Sequence, residues 1–253
     1  MVRFNDTGVI VTGAASGIGA ATARAFAAEG ARVWCLDRDG VEARELARDI
    51  GGEAYELDIT DESGWEDFEA QRRGDGSIRV MAHCAGVSAA SPFLETSLEE
   101  WRRVLGVNLD GAFLATRTAL RLFGDRGGAV VLVGSASGIR PAAGATAYSV
   151  SKAGLSMLAR TVAKELRDAR PSVRVNVVSP AGVRTNLWRQ MPFFEALVEQ
   201  HGSVDAAFQA LEIGGGSRFL SPEEVANVVL FLASADAEAI TGTELPVDSG
   251  YVL

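Results

Sequence analysis

The chain reads as an α/β protein of the doubly wound kind, a parallel sheet with helices on both faces. Three observations predict this. Short apolar runs rich in valine and isoleucine alternate with helical patterns from end to end. A glycine-rich turn, Thr12 to Gly19, lies between the first such run and the first helix. Gly13, Asp37, Asp58, Gly86, Ser135 and Pro180 each follow a run at its carboxyl end, the edge where such sheets bind ligands. With 253 residues, 47% of them hydrophobic, the chain can bury one large core. No linker, repeat or low-complexity stretch divides it, so a single domain is expected over residues 1–253.

Val9 to Val11 is the first strand, and an alanine-rich helix runs from Ala20 to Glu29. Between them lies Thr12-Gly13-Ala14-Ala15-Ser16-Gly17-Ile18-Gly19. This order suits a pyrophosphate. Glycines let it approach the backbone, and the helix amino end offers free N–H groups and a positive dipole. The spacing is G-x-x-x-G-x-G rather than G-x-G-x-x-G, and a purely structural turn is the alternative. Arg32 to Leu36 is the second strand, closed by Asp37, 18 residues past Gly19. A carboxylate there can bind the two ribose hydroxyls of an adenosine and repel a 2′-phosphate, which favours NAD over NADP. Arg38 pulls the other way, since a guanidinium attracts that phosphate. The plain alternative is that Asp37 starts the turn to Gly40.

Val41 to Ile50 is a charged amphipathic helix, and Ala54 to Leu57 is the third strand, ended by Asp58 and Ile59. Asp61 caps a helix with Trp65 and Phe68 on one face. Ile78 to Ala82 is the fourth strand and runs into His83-Cys84-Ala85-Gly86. Ser97 caps the next helix, with Glu100 placed for a capping box. That helix leads to Asn108, whose amide needs partners in apolar surroundings. Ala129 to Val133 is the fifth strand and ends in Gly134-Ser135-Ala136-Ser137-Gly138, which suits a close-approaching ligand or an ordinary turn. A long helix opens at Tyr148 and reaches Leu166. Val173 to Val178 is the sixth strand, Ser221-Pro222-Glu223-Glu224 starts a buried helix, and Leu245 to Val247 is the last strand.

Tyr148 and Lys152 stand four apart on one helical face. A free tyrosine, with a pKa of about 10, is a poor acid or base at neutral pH. An ammonium beside it favours phenolate, so a lowered pKa is expected for Tyr148. The pair alone would also suit surface packing. Ser135 lies 13 residues earlier, on a loop able to bring a hydroxyl to the tyrosine's side of the sheet.

Composition excludes other classes. A net charge of −9 without a basic stripe argues against nucleic acid and anionic membranes as partners. His83 and His201 are the only histidines, and no metal-ligand cluster is visible. Cys35 and Cys84 sit in apolar runs and read as buried thiols of a reducing compartment. The first strand begins within ten residues, leaving no room for a signal peptide, and no run is apolar enough to span a bilayer. Cytoplasm is the expected location.

Together these residues resemble a classical short-chain dehydrogenase/reductase over nearly the whole chain. Thr12 to Gly19 matches the family's TGxxxGxG coenzyme turn, with Gly13, Ser16, Gly17, Ile18 and Gly19 toward the coenzyme. Asp37 matches the acidic residue of the NAD-preferring branch, and Asp58, followed by Ile59, the adenine contact. Asn108, Ser135, Tyr148 and Lys152 fall on the catalytic tetrad, and residues 221–250 resemble the usual carboxyl-terminal segment. The resemblance implies a Rossmann-type fold with a seven-stranded parallel sheet, a small-molecule alcohol or ketone as substrate, and commonly a homotetramer. It implies that Tyr148 takes the hydroxyl proton, Lys152 holds the nicotinamide ribose, Ser135 donates to the substrate oxygen, and Asn108 fixes a water between Lys152 and solvent. Two positions depart from it. The family's NNAG is His83-Cys84-Ala85-Gly86, so a thiol replaces an amide that steadies the central strand, while Ala85 and Gly86 keep the small backbone surface. The family's PG is Pro180-Ala181, with Gly182 one residue on, although Val183 and Thr185 still match the contacts to carboxamide and phosphate.

Residues 186–216 read as an apolar lid over a hydrophobic, cyclic or steroid-like alcohol, with Gly214 to Gly216 as a hinge. Equally, Trp188, Met191, Phe193, Phe194, Leu197 and Val198 suit packing against the body or another subunit. A dinucleotide-binding regulator without turnover is the alternative function, disfavoured by the intact Ser135, Tyr148 and Lys152. Enoyl reduction is disfavoured because the resemblance there calls for a wider Tyr–Lys spacing.

Overall fold

The computed structural model describes residues 2–170, 172–211 and 218–253. Seven strands form one parallel sheet: β1 (Gly8–Thr12), β2 (Arg32–Asp37), β3 (Glu53–Glu56), β4 (Ile78–His83), β5 (Gly128–Val133), β6 (Val173–Pro180) and β7 (Glu244–Val247). Their order is β3-β2-β1-β4-β5-β6-β7, and every neighbouring pair is parallel. The central strands are apolar on both sides because both sides are covered. In β1, Val9 and Val11 face one core while Ile10 faces the other.

Helices α1 (Gly17–Ala28) and α2 (Gly40–Ile50) pack on the Val9 face, through Phe26 and Leu46. Helix α3 (Glu62–Arg72) covers the Ile10 face through Trp65 and Phe68. So do α5 (Gly111–Phe123), which continues α4 (Leu98–Leu105), and α6 (Thr146–Ala169). Two short helices, α7 (Pro192–His201) and α8 (Val204–Ala210), precede α9 (Pro222–Ala233), which returns to the Val9 face through Val225 and Val229. The expected doubly wound, seven-stranded Rossmann-type sheet is therefore present. Its order reverses between β1 and β4, where such sheets open a crevice for a ligand.

Cap chemistry agrees with the sequence at one helix and departs from it at another. Ser221 and Glu224 form a reciprocal capping box at α9. At α4, Ser97 Oγ accepts from the Glu100 amide (3.0 Å), but the Glu100 carboxylate accepts from Ser91 Oγ instead (2.7 Å). That bond ties the loop after β4 to α4, so the expected box is half formed. Cys35 is buried and Cys84 is only half-buried, and both are free thiols. Among the described residues no helix is long and apolar enough to cross a membrane, and no group of acidic, histidine and cysteine side chains is arranged for a metal.

Candidate active site

The first element of the site is the turn between β1 and α1. Gly13 has φ +68°, and a Cβ there would stand 2.7 Å from the Ala85 backbone, so bare chain packs on bare chain. Ser16, the residue before α1, makes no side-chain cap. The first amides of the helix are thus left for an external acceptor, and the positive end of the helix dipole favours an anion. At the end of β2, Asp37 Oδ2 accepts from the Ala15 amide and Oδ1 from the Asp39 amide, each at 3.0 Å. The carboxylate thereby holds the glycine turn from the side while standing at the rim of the crevice, beside exposed Arg38. Asp58 Oδ1 accepts from the amide and hydroxyl of Thr60 (2.9 and 2.7 Å), and the buried Ile59 gives its carbonyl to the Trp65 indole (2.9 Å).

These groups border a cavity of about 620 Å³. It is lined by Gly13, Ser16, Gly17, Ile18, Gly19, Asp37, Asp58, Ile59, Ala85, Gly86 and Thr185, all of them expected from the sequence. Open helix amides for a pyrophosphate, glycines that admit it and a carboxylate at the far rim fit a dinucleotide.

A second cavity, of about 390 Å³, adjoins the first, sharing Ile18, Cys84, Gly86, Thr185 and Leu187. Ser135, Tyr148, Lys152, Pro180 and Val183 line it. The 24-residue helix α6 carries Tyr148 and Lys152 on its first turns, and the loop from β5 brings in Ser135. Lys152 is buried, and its Nζ donates to the Val133 carbonyl (2.9 Å) and lies 5.8 Å from the centre of the Tyr148 ring. A Cβ on Gly86 would stand 3.3 Å from that Nζ and 3.2 Å from Asn108 Oδ1. A larger residue at Gly86 would crowd the ammonium and the amide where the two cavities meet.

Asn108 lines neither cavity. It is buried in a single π-turn, Gly106–Asp110, between α4 and α5, a local widening often found at functional sites. Its Oδ1 accepts from the Val87 amide (2.8 Å), and its Nδ2 donates to the Val87 carbonyl (2.9 Å) and to Ser151 Oγ (3.0 Å). Ser151 Oγ in turn donates to the Tyr148 carbonyl (2.7 Å). The sequence reading missed Ser151 and Val87. Ser151 had a signal, since it follows Tyr148 by three and so shares its helix face. Val87 acts only through its backbone, which no side-chain pattern reveals.

The expected lowering of the Tyr148 pKa is not found. Burial pushes the phenol above its usual value, and the hydrogen bond with Ser135 only partly offsets this. The Lys152 charge does not decide it. That ammonium is committed to Val133, and burial holds its own pKa down to about 8. Cys84 Sγ lies 3.9 Å from Thr22 Oγ1, and burial pushes the thiol up to about 12, so it is a neutral, unreactive group on the wall shared by the two cavities.

His83 Nδ1 pairs with Thr12 Oγ1 (2.9 Å) behind the site, and Nε2 has no partner among the described residues. Burial drives this imidazole down to about 3, so it is neutral. The unfolded chain binds a proton near pH 6.5 that the folded chain refuses until about 3, so stability falls as pH drops through that window. His83→Asn is expected to abolish most of that fall, about 3 kcal/mol between pH 7 and 4. Urea melts at the two pH values check it, and an unchanged difference would contradict it.

The segment after β6 carries its own small core. The Trp188 ring lies 5.3 to 6.4 Å from those of Phe193, Phe194, Phe208 and Phe219, and its indole N–H donates to the Val183 carbonyl (2.9 Å). Phe194 and Phe208 are buried in this cluster, with Leu197 and Val198 against it. Leu187, Trp188, Met191 and Phe193 line the second cavity. Some of these residues thus line the second cavity while others pack on one another. The Gly214 to Gly216 hinge lies outside the described residues.

With this geometry in hand, residues 13–252 match the family model described as enoyl-(acyl carrier protein) reductase. The chain is 32% identical over 249 residues to 2,5-dichloro-2,5-cyclohexadiene-1,4-diol dehydrogenase of Sphingobium indicum, covering 96% of this chain and 94% of that one. It is 34% identical to galactitol 2-dehydrogenase (L-tagatose-forming) of Cereibacter sphaeroides, covering 99% and 97%. A crystal structure named as ribose-5-phosphate isomerase from Brucella melitensis 16M superposes with a TM-score of 0.85 at 34% identity, covering 100% of this chain and 95% of that one. Relatives of one fold thus carry names from different reactions, and fold alone does not choose among them. Matched motifs, sheet order and whole-length relatives agree on one conclusion: the chain belongs to the short-chain dehydrogenase/reductase family, oxidoreductases that work with a nicotinamide cofactor.

Proposed function

We propose that this protein is an NAD-dependent dehydrogenase that interconverts an apolar, cyclic secondary alcohol and its ketone. The observation that carries the reading is the junction at Gly86. A cavity suited to a dinucleotide opens there into one lined by Ser135, Tyr148 and Lys152. When bound, the nicotinamide supplies or accepts the hydride. Tyr148 takes the proton from the alcohol oxygen in oxidation and returns it in reduction. Ser135 donates to the same oxygen and stabilises the charge developing there. Lys152 holds the nicotinamide ribose, and Asn108, clamped by Val87 and Ser151, keeps a water path to Lys152 in register. Gly13, Ser16, Gly17, Ile18 and Gly19 hold the pyrophosphate, Asp58 and Ile59 the adenine, and Val183 and Thr185 the nicotinamide end. Asp37 on the lining of the first cavity supports a preference for NAD, because its carboxylate would repel a 2′-phosphate.

Cavity lining supports an apolar substrate. Alanines 89, 90, 142 and 143 form part of it and Trp188, Met191 and Phe193 another, while Lys152 is its only charged residue among those described. Among the described residues, 186–211 act as the lid of a single domain. Leu98, Phe113, Val150 and Met157 are exposed on α4, α5 and α6, which supports a homotetramer built on these helices; the mass in solution is the check. Two free thiols suit a reducing cytoplasm. A regulator without turnover would have no use for Ser135, Tyr148 and Lys152 together. The test is absorbance at 340 nm with NAD and a panel of alcohols. Bicyclic alcohols are expected to exceed small polyols by about tenfold or more in kcat/KM. Polyols outperforming every apolar alcohol would remove the substrate assignment, and no signal with any alcohol would favour the regulator.

A further inference from the structure

We propose that Tyr251, held in place by Arg140, forms the wall of the second cavity that sets how large an alcohol it admits. This rests on the reading of that cavity as the alcohol site. The chain leaves β7 at Val247, paired with Pro180, and the Val247 carbonyl accepts from the Ala181 amide (3.1 Å). It therefore emerges at the sheet edge that carries the site. Asp248 then folds it back, with Oδ1 accepting from the Gly250 amide and Oδ2 from the Val252 amide, both at 2.9 Å. The turn takes Ser249 to φ +51° and Gly250 to φ +87°. Positive φ is unfavourable for a serine, so the two bonds to Asp248 hold a conformation the chain would not otherwise choose.

Tyr251 follows directly and lines the cavity that Tyr148 also lines. Arg140, on the loop after β5, holds it from outside. Its guanidinium donates to the Tyr251 carbonyl (2.6 Å) and lies 4.9 Å from the centre of the ring, a cation–π contact. A bond across 111 residues thus joins the loop that presents Ser135 to the segment that presents Tyr251. Arg140 itself is exposed and does not border the cavity, so it is a positioning residue. Apart from Tyr148, the other aromatic lining groups, Trp188, Phe193 and Phe219, belong to the aromatic cluster after β6, so Tyr251 is the large ring that can be replaced without disturbing that cluster. Tyr251 adds no charge to the lining, in keeping with a neutral substrate.

The experiment compares kcat/KM for 2-tetralol, a bicyclic alcohol, with that for 2-butanol in wild type, Tyr251→Ala and Arg140→Ala. Tyr251→Ala is expected to raise the ratio about tenfold, the effect of altered pocket volume on substrate choice. Arg140→Ala is expected to move it the same way by about threefold, with Arg140→Lys intermediate because lysine keeps a donor but stacks less well. KM for NAD and the melting temperature should hold, since none of these residues lines the dinucleotide cavity. Ratios within twofold of wild type in both alanine variants would overturn the proposal. If Tyr251→Ala fails to fold, Tyr251→Leu decides by the same ratio. If wild type oxidises neither alcohol, the functional reading fails instead, and the wall is judged by binding. Saturation-transfer NMR with 2-tetralol should show tighter binding to Tyr251→Ala, and equal binding would overturn the proposal.

Discussion

Tyr148→Phe is expected to lower kcat by about 10³-fold, roughly 4 kcal/mol of transition-state stabilisation, while NAD binds within about threefold of its wild-type affinity. The phenylalanine ring fills the same space beside Lys152 and removes only the hydroxyl that Ser135 contacts. The fold should hardly notice, because one partly exposed hydrogen bond contributes about 1 kcal/mol. The direction of the Tyr148 shift adds a pH signature. Burial puts the phenol above its ordinary value, so the phenolate fraction grows as pH rises. Wild-type kcat/KM for oxidation should climb from pH 7 to 10, and that for reduction should fall. Tyr148→Phe should lose both slopes. Turnover within tenfold of wild type would exclude Tyr148 as the proton carrier.

Asp37→Ser is expected to shift the ratio of kcat/KM for NAD to that for NADP by about 10²-fold toward NADP. The carboxylate lines the first cavity beside exposed Arg38, and in the proposed binding mode it faces the 2′ position of the adenosine ribose. Its removal ends the repulsion and leaves the guanidinium free to pair with phosphate. NAD should suffer as well, for Asp37 also accepts the amides of Ala15 and Asp39 and so fixes the phosphate turn. That loss weakens both dinucleotides alike. The change of about 10²-fold in the ratio, about 2.7 kcal/mol, comes from ending the repulsion of the 2′-phosphate, freeing Arg38 to pair with it, and losing a charge-assisted bond of about 1.5–3 kcal/mol to the NAD ribose. Initial rates with the two dinucleotides measure the ratio, and movement of less than threefold would contradict the proposed role.

Much of this architecture was legible in the sequence because it rests on local chemistry. Short β-prone runs closed by Gly13, Asp37, Asp58 or Ser135, with helical patterns between them, read as parallel strands ending at one edge, as the sheet shows. Ser221-Pro222 starts α9 by its own cap. What stayed hidden depends on contacts between distant segments. Glu100 leaves its own helix cap for Ser91, whose position no local pattern gives. The Tyr148 pKa rises because burial around the first turn of α6 outweighs the charge that sequence spacing emphasised. Asn108 sits in a π-turn rather than a regular helix, and helical periodicity cannot foresee the inserted residue. Arg140 and Tyr251 meet across 111 residues, with no motif at either end.

The central claim is that Tyr148, Lys152 and Ser135 serve hydride exchange between a carbinol carbon and a nicotinamide bound at the Gly86 junction. Its most direct test uses 2-tetralol with deuterium at the carbinol carbon, incubated with NAD and the wild-type protein, followed by mass analysis of the reduced dinucleotide. One deuterium recovered on the reduced nicotinamide, with the matching ketone in equal amount, is the expected result. Ketone formed without deuterium on the dinucleotide would contradict the claim.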